Sequence, residues 1–285
     1  ALDARAFGLF LRAAGAACLL DAALVRSDPW YGRDETLLAM AGRAPPLEWR
    51  KRPYCAEAEG ACWSPLWPHG WSWCSQLLGA EPWFEVLEAA HAACAVALCV
   101  FGGPRNRVWR TACVALWMLR ASRSHFAELG LNVGDQIMRM ALFWAMLQAV
   151  SPEGNLSPLT SAAFALQIAL TYAIPGTIKM QMWNDTTLAS LITLPGGLGR
   201  SRCFWLQPVE LAQAIIAPLG GLTRWLVPTF EVLAGFLVCA RLRCRWLHAP
   251  LALALAAMHV GIAIFLRALS VAYLALPPLL ALLSL

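Results

Sequence analysis

The chain is predicted to be an all-α, polytopic transmembrane helix bundle of about eight spans, and three observations carry that prediction. Hydrophobic residues make up 59% of its 285 positions and charged residues only 14%, against about 25% charged in soluble domains. Apolar stretches near the ~20 residues that a bilayer requires recur along its whole length. Fourteen tryptophans suit a protein whose amphipathic rings gather at the headgroup level. Because the apolar segments recur throughout its 285 residues, 1–285 reads as one domain, a single polytopic bundle. Its arginines form short scattered clusters rather than a continuous basic patch, which excludes nucleic acid as a partner. Membrane lipids and other membrane proteins are the partners this composition expects.

The first apolar segment runs over 6–25 and encloses Arg12 and Asp21. The second, 84–102, stops at the breaker Gly102-Gly103-Pro104. The third, 108–122, is short and leads into Arg120, Arg123 and His125. The fourth, 135–150, starts with Asp135 and Arg139, an i, i+4 pair, and ends at Ser151-Pro152-Glu153-Gly154. The fifth covers 159–181, and after an irregular stretch come 222–240, 249–266 and 268–285.

Short basic connections face the cytoplasm or its equivalent. Arg105, Arg107 and Arg110 follow the second segment, and Arg241, Arg243 and Arg245 follow the sixth, with no acid in either. Four segments separate the two connections, so both fall on one face, and the termini join them there. The formal charge of +5 then reflects topology. The 26–82 loop falls on the opposite face, between the first and second spans. It carries six tryptophans and the cysteines Cys55, Cys62 and Cys74. On an oxidising face one pair bridges, most simply Cys55 with Cys62. A zinc site would need His69 as its fourth ligand, in a spacing that matches no common pattern, so no metal is expected. Asn184-Asp185-Thr186 is a glycosylation sequon on the same face, whereas Asn155-Leu156-Ser157 falls on the inner side.

The chemistry concentrates at Lys179. Only two of the 22 Lys plus Arg residues are lysine, and the other, Lys51, lies in the polar loop. Arginine keeps its proton in a protein, whereas a desolvated lysine can lose it. An ionisable group in a span is a functional candidate by default. On a helix over 164–181, Tyr172, Pro175, Gly176 and Lys179 share one stripe with Thr171 at its edge. Pro175 frees the carbonyl of Thr171, and the lysine leans back toward that oxygen and the Tyr172 hydroxyl. The structural alternative is a lysine near its helix end that complements the dipole and snorkels to the interface beside Trp183.

Glu231 and His259 also lie inside apolar segments, where neither stays unpaired at low cost. They are expected to partner each other or Lys179, or to shuttle protons. Asp21 is expected to pair with an arginine of a neighbouring helix, and His91, three residues after Glu88, to be a satisfied core histidine.

Gln167-x4-Tyr172-x3-Gly176-x2-Lys179-x3-Trp183-x2-Thr186 resembles the signature of the horizontally transferred transmembrane (HTTM) domain. That domain is the membrane part of vitamin K-dependent gamma-carboxylases and occurs in bacterial proteins that mature a sporulation-delaying toxin. Arg12-x2-Gly15 with Asp21 and Arg26 resembles the family's first span. Asn132-Val133-Gly134-Asp135-x3-Arg139-x3-Phe143-Trp144 resembles its fourth, and Glu231 and His259-Val260-Gly261 resemble positions in its last spans. The resemblance covers nearly the whole chain. It implies an integral protein of a bacterial inner membrane or of a eukaryotic endoplasmic-reticulum or organellar membrane. It further implies an enzyme or maturation factor acting on a lipophilic, quinone-like substrate or cofactor, with Lys179 as base and Tyr172, Glu231 and His259 beside it.

Carboxylases carry two adjacent lysines here, whereas Ile178 precedes Lys179, and the histidine they keep near the fourth span has no counterpart by Asn132. The chain ends at Leu285 directly after its last apolar segment, without the large domain that holds a carboxylase substrate, so carboxylation of proteins is not expected. The alternative is a non-catalytic structural subunit of a larger membrane complex, docked through the 26–82 loop and small-residue faces.

Overall fold

The computed structural model describes residues 4–27, 80–103, 106–123, 133–148, 156–184, 217–239, 245–265 and 269–282. Among these the architecture is all-helical, with no strand. Eight α-helices follow one another: α1 Ala4–Ser27, α2 Ala80–Phe101, α3 Val108–Arg123, α4 Val133–Met146, α5 Pro158–Met182, α6 Gly220–Cys239, α7 Arg245–Phe265 and α8 Leu269–Leu282, with a 3-10 turn Ala217–Leu219 leading into α6. Each expected apolar segment corresponds to one helix. Three of the eight, α1, α5 and α6, are long and apolar enough to cross a membrane. The 14 residues of α4 or of α8 reach only about 21 Å at 1.5 Å per residue, short of a ~30 Å hydrocarbon core. The tryptophan-rich 26–82 loop with Cys55 and Cys62, both sequons beyond their described ends, and Arg241 and Arg243 lie outside the described residues.

Consecutive helices pack as neighbours from α1 to α4, and α8 returns to lie against α1, α4 and α7. Phe7, Phe10, Trp109, Leu116, Met138, Leu142, Phe164 and Leu274 fill the core these helices enclose. Gly15 makes the α1–α2 contact close, because a Cβ there would stand 2.7 Å from the Ala95 carbonyl oxygen. Arg12 on the same face donates from Nε to the Gly102 carbonyl at 3.0 Å. A cation thereby meets the orphan carbonyls at the C-terminus of α2, where the helix dipole favours it.

Helix α4 stops before the apolar segment does. Gln148 turns inward, 1% exposed, and its amide donates to the Ser157 carbonyl at 3.2 Å and the Ser161 hydroxyl at 3.3 Å. The Arg110 guanidinium donates to the Gln148 carbonyl at 2.9 Å. These bonds tie the start of α3, the end of α4 and the start of α5 together. Pro158 opens α5, where its missing N–H costs nothing.

The most extensive helix pair is α5 with α6. They run antiparallel, and small residues let their backbones touch. A Cβ on Gly235 would lie 2.6 Å from the Ala169 carbonyl oxygen and 2.7 Å from the Ala173 Cβ. One on Gly176 would lie 2.9 Å from the Pro228 carbonyl oxygen. Gly235→Val is therefore expected to push the helices apart and to cost about 1–3 kcal/mol, the usual range for overpacking. Thermal unfolding of the detergent-solubilised protein measures this, and an unchanged melting temperature contradicts the close contact.

Candidate functional site

Helix α5 carries an interior proline, Pro175, and α6 carries Pro228. Each lies within a turn or two of the place where the helices cross. One turn beyond Pro175, the Lys179 ammonium donates to Glu231 Oε1 of α6 at 2.5 Å, and it stands 5.4 Å from the Trp183 ring centroid. The lysine side chain is 28% exposed and the glutamate side chain 5%, so the pair reaches from the helix interface toward the α5 terminus. Two turns back along α5, the buried Tyr172 hydroxyl is hydrogen-bonded to His259 Nε2 of α7 at 2.8 Å. Their rings meet edge to face with centroids 5.8 Å apart.

The four residues singled out in the sequence thus come together from three helices as two hydrogen-bonded pairs. Glu231 lies within electrostatic reach of the tyrosine hydroxyl, and Lys179 within reach of the histidine. The partners differ from the expected niche in one respect. Glu231 takes the ammonium that the helix geometry alone directs back toward Tyr172. Thr171 turns its hydroxyl to the Gln167 carbonyl at 2.8 Å. The reason is strength: a carboxylate bond to an ammonium is charge-assisted, while the alternatives on α5 are neutral acceptors.

Two polar atoms of this cluster, Glu231 Oε2 and His259 Nδ1, are buried without a hydrogen-bond partner among the described residues. Such atoms carry a desolvation cost that a water or a ligand relieves. The arrangement therefore holds a basic pair, a phenol–imidazole pair, and two unfilled hydrogen-bonding positions. No group of three His, Cys, Asp or Glu side chains with metal-site geometry occurs among the described residues.

A second buried polar cluster lies elsewhere in the bundle. Asp21 of α1 forms an ion pair with Arg120 of α3 at 3.2 Å, and the Tyr273 hydroxyl of α8 donates to Asp21 Oδ1 at 2.9 Å. Arg120 Nη1 also reaches His91 Nε2 of α2 at 3.1 Å and Cys18 Sγ of α1 at 3.5 Å. A guanidinium only donates, so Nε2 is the acceptor and His91 is neutral. Asp21 thus has the arginine partner the sequence called for, and His91 is a bonded core histidine. Arg120, 1% exposed, reads in the sequence as the basic flank of a short span. The signal that marks it as internal is its register: Trp109, Cys113, Leu116 and Arg120 fall at i, i+4, i+7 and i+11, one helix stripe. Tyr273 gives no such signal. The Asp135 and Arg26 side chains lie outside the described residues.

No protein-family model, no curated protein and no solved structure matches this chain.

Proposed function

We propose that the chain is an integral membrane protein of about eight spans, related to the HTTM family, whose Lys179–Glu231 and Tyr172–His259 pairs do acid–base work on a lipophilic, quinone-like hydroxyl substrate. The observation that carries this reading is the convergence of those four side chains, 87 residues apart at the extremes, at one helix crossing. Chance placement of the few ionisable groups in so apolar a chain leaves them scattered.

The Lys179–Glu231 pair holds one proton; in its working form Lys179 has passed that proton to the Glu231 carboxylate across their hydrogen bond, and its free amine accepts a second. When a substrate hydroxyl enters, its O–H bond breaks and the proton joins the pair, leaving an ammonium and a neutral carboxyl group. The ammonium then faces the new oxyanion in a medium of low dielectric, where the attraction is strongest. Tyr172 and His259 form the adjoining hydrogen-bonded chain along which a proton leaves or returns.

The basic connections and termini are assigned to the cytoplasmic-equivalent side, and lipids are the immediate partners. The second reading, a non-catalytic subunit of a membrane complex, is favoured by the completeness of the Lys179–Glu231 bond, which fastens α5 to α6 whether or not chemistry follows.

The test uses membranes from cells producing the full chain and a naphthohydroquinone as probe. A hydroquinone monoanion passes two electrons and its remaining proton to dioxygen and, with one more proton returned from the pair or from water, gives quinone and hydrogen peroxide faster than the neutral hydroquinone does. Oxygen uptake is expected to exceed that of empty membranes at neutral pH. Equal rates sink the enzymatic reading and leave the subunit reading.

A further inference from the structure

At one corner of the bundle α1 starts, α2 stops and α3 starts. Arg12 fixes the corner from one side, since its Nε donates to the Gly102 carbonyl, and a Cβ on Gly102 would stand 3.2 Å from the Arg12 backbone nitrogen. Phe7 fixes it from the other, its ring meeting that of Trp109 edge to face with centroids 5.3 Å apart. Between these contacts the chain turns tightly. The Asn106 N–H donates to the Gly103 carbonyl at 2.9 Å, and the Asn106 side chain accepts from the Val108 N–H at the start of α3. Arg5, Arg12 and Arg107 are exposed at this corner, and none of them has an acidic partner among the described residues. The described acids of α1 and α2, Asp21, Glu81, Glu85 and Glu88, lie toward the opposite ends of those helices. Neither α1 nor α3 carries an acid in its first turn to offset the positive end of its dipole.

A guanidinium has five N–H donors, and Arg12 uses one of them on Gly102. That bond holds the side chain in place, so the four Nη N–H groups are presented with little further ordering to be done. Two of them match two oxygens of a phosphate in bidentate fashion. The cations are interleaved with carbon: Arg5, Leu9 and Arg12 form one exposed stripe of α1 at i, i+4 and i+7, and Phe101 and Val108 are exposed beside the turn. Away from the corner the exposed surface of α1 and α2 continues as carbon, through Val100, Val96 and Leu20. A phosphodiester with acyl chains suits both parts, the charge meeting the arginines and the chains lying along the apolar flank. A free phosphate or an acidic protein segment leaves that flank uncovered.

We propose that this corner binds an anionic phospholipid of the cytoplasmic-equivalent leaflet, with Arg12 as the fixed fork on its phosphate and Arg5 and Arg107 as flanking cations. The proposal rests on the membrane-embedded reading given above, with this end of the bundle on that side, and is independent of any chemistry at Lys179. Anionic head groups attract basic groups held at the membrane surface, and here the lipid supplies the counter-charge that the fold leaves out.

Native mass spectrometry of the full chain in detergent counts the lipids it retains when titrated with dioleoyl phosphatidylglycerol or with dioleoyl phosphatidylcholine. The acyl chains are identical, so the two differ only in the head group and its charge. Phosphatidylglycerol adducts are expected in severalfold excess. Each cation beside an anionic head group contributes about fivefold in binding, so Arg5→Gln with Arg107→Gln is expected to weaken phosphatidylglycerol roughly tenfold or more. Neither side chain has a hydrogen bond or ion pair among the described residues to lose, so this double variant folds even where Arg12→Gln does not. Arg224→Gln, at the opposite end of the bundle, leaves the preference unchanged. Equal retention of the two lipids, or a preference that survives the double variant, overturns the proposal and leaves the patch to an acidic protein segment. Displacement of the lipid by millimolar inorganic phosphate overturns it in favour of a free anion. The count requires no turnover. Loss of the preference with oxygen uptake intact removes this site alone, and its presence without uptake keeps the site while the enzymatic reading falls.

Discussion

Lys179→Arg is expected to leave the helix bundle intact and to lower naphthohydroquinone-dependent oxygen uptake by about 10²-fold or more, the lower end of what a positioned general base contributes. Arginine keeps the positive charge, the ion pair with Glu231 and the stacking over Trp183, but it does not release a proton in a protein. A purely structural lysine is therefore replaced without penalty, whereas a base is lost. The charge swap Lys179→Glu with Glu231→Lys separates the same roles from the other side. If the pair only fastens α5 to α6, the swapped protein regains both stability and whatever function it had. If Lys179 acts beside Tyr172, the swap restores the melting temperature and leaves uptake at the level of empty membranes. Full uptake by Lys179→Arg ends the case for Lys179 as a base.

Arg120→Met carries the largest expected cost in stability, about 3–5 kcal/mol, the usual price of breaking a buried ion pair by removing one partner. The methionine fills most of the space, but the Asp21 carboxylate, 3% exposed, loses the guanidinium that balances its charge, while the Tyr273 hydroxyl of α8 still donates to it. His91 Nε2 loses its donor in the same step. Adding Asp21→Asn to Arg120→Met removes the stranded charge, so the double variant is expected to be more stable than the sum of the single losses. Thermal unfolding in detergent reads both effects. Strict additivity, or a single variant that melts with the parent protein, contradicts the placement of Arg120 inside the bundle.

The helices were legible in the sequence because a long apolar run is a local property. The segment 159–181 became Pro158–Met182, and 6–25 became Ala4–Ser27. The exception, α4, ends early because Gln148 finds acceptors at the start of α5, the nearer of them the Ser157 carbonyl nine residues on, a tertiary event that no run of Leu-Gln-Ala reveals. The site was legible as a set of residues and not as a set of bonds. Lys179, Tyr172, Glu231 and His259 stood out as polar groups in apolar segments, but which of them bonds to which depends on how α5, α6 and α7 cross. Arg120 was hidden by its position near a helix end, where a basic residue is ordinary. The register of its stripe, rather than its charge, places it inside.

The hydrogen bond between Tyr273 and Asp21 joins residues 252 positions apart, and this has a consequence for how the chain is made. Asp21, His91 and Arg120 are all synthesised well before α8. At 5–20 residues per second, roughly 8–30 s separate the appearance of Arg120 from that of Tyr273. Through that interval the first helices hold a polar cluster that still lacks its last donor. Helix α8 packs back onto α1, so this cluster is complete only once α8 has been made and has folded against α1.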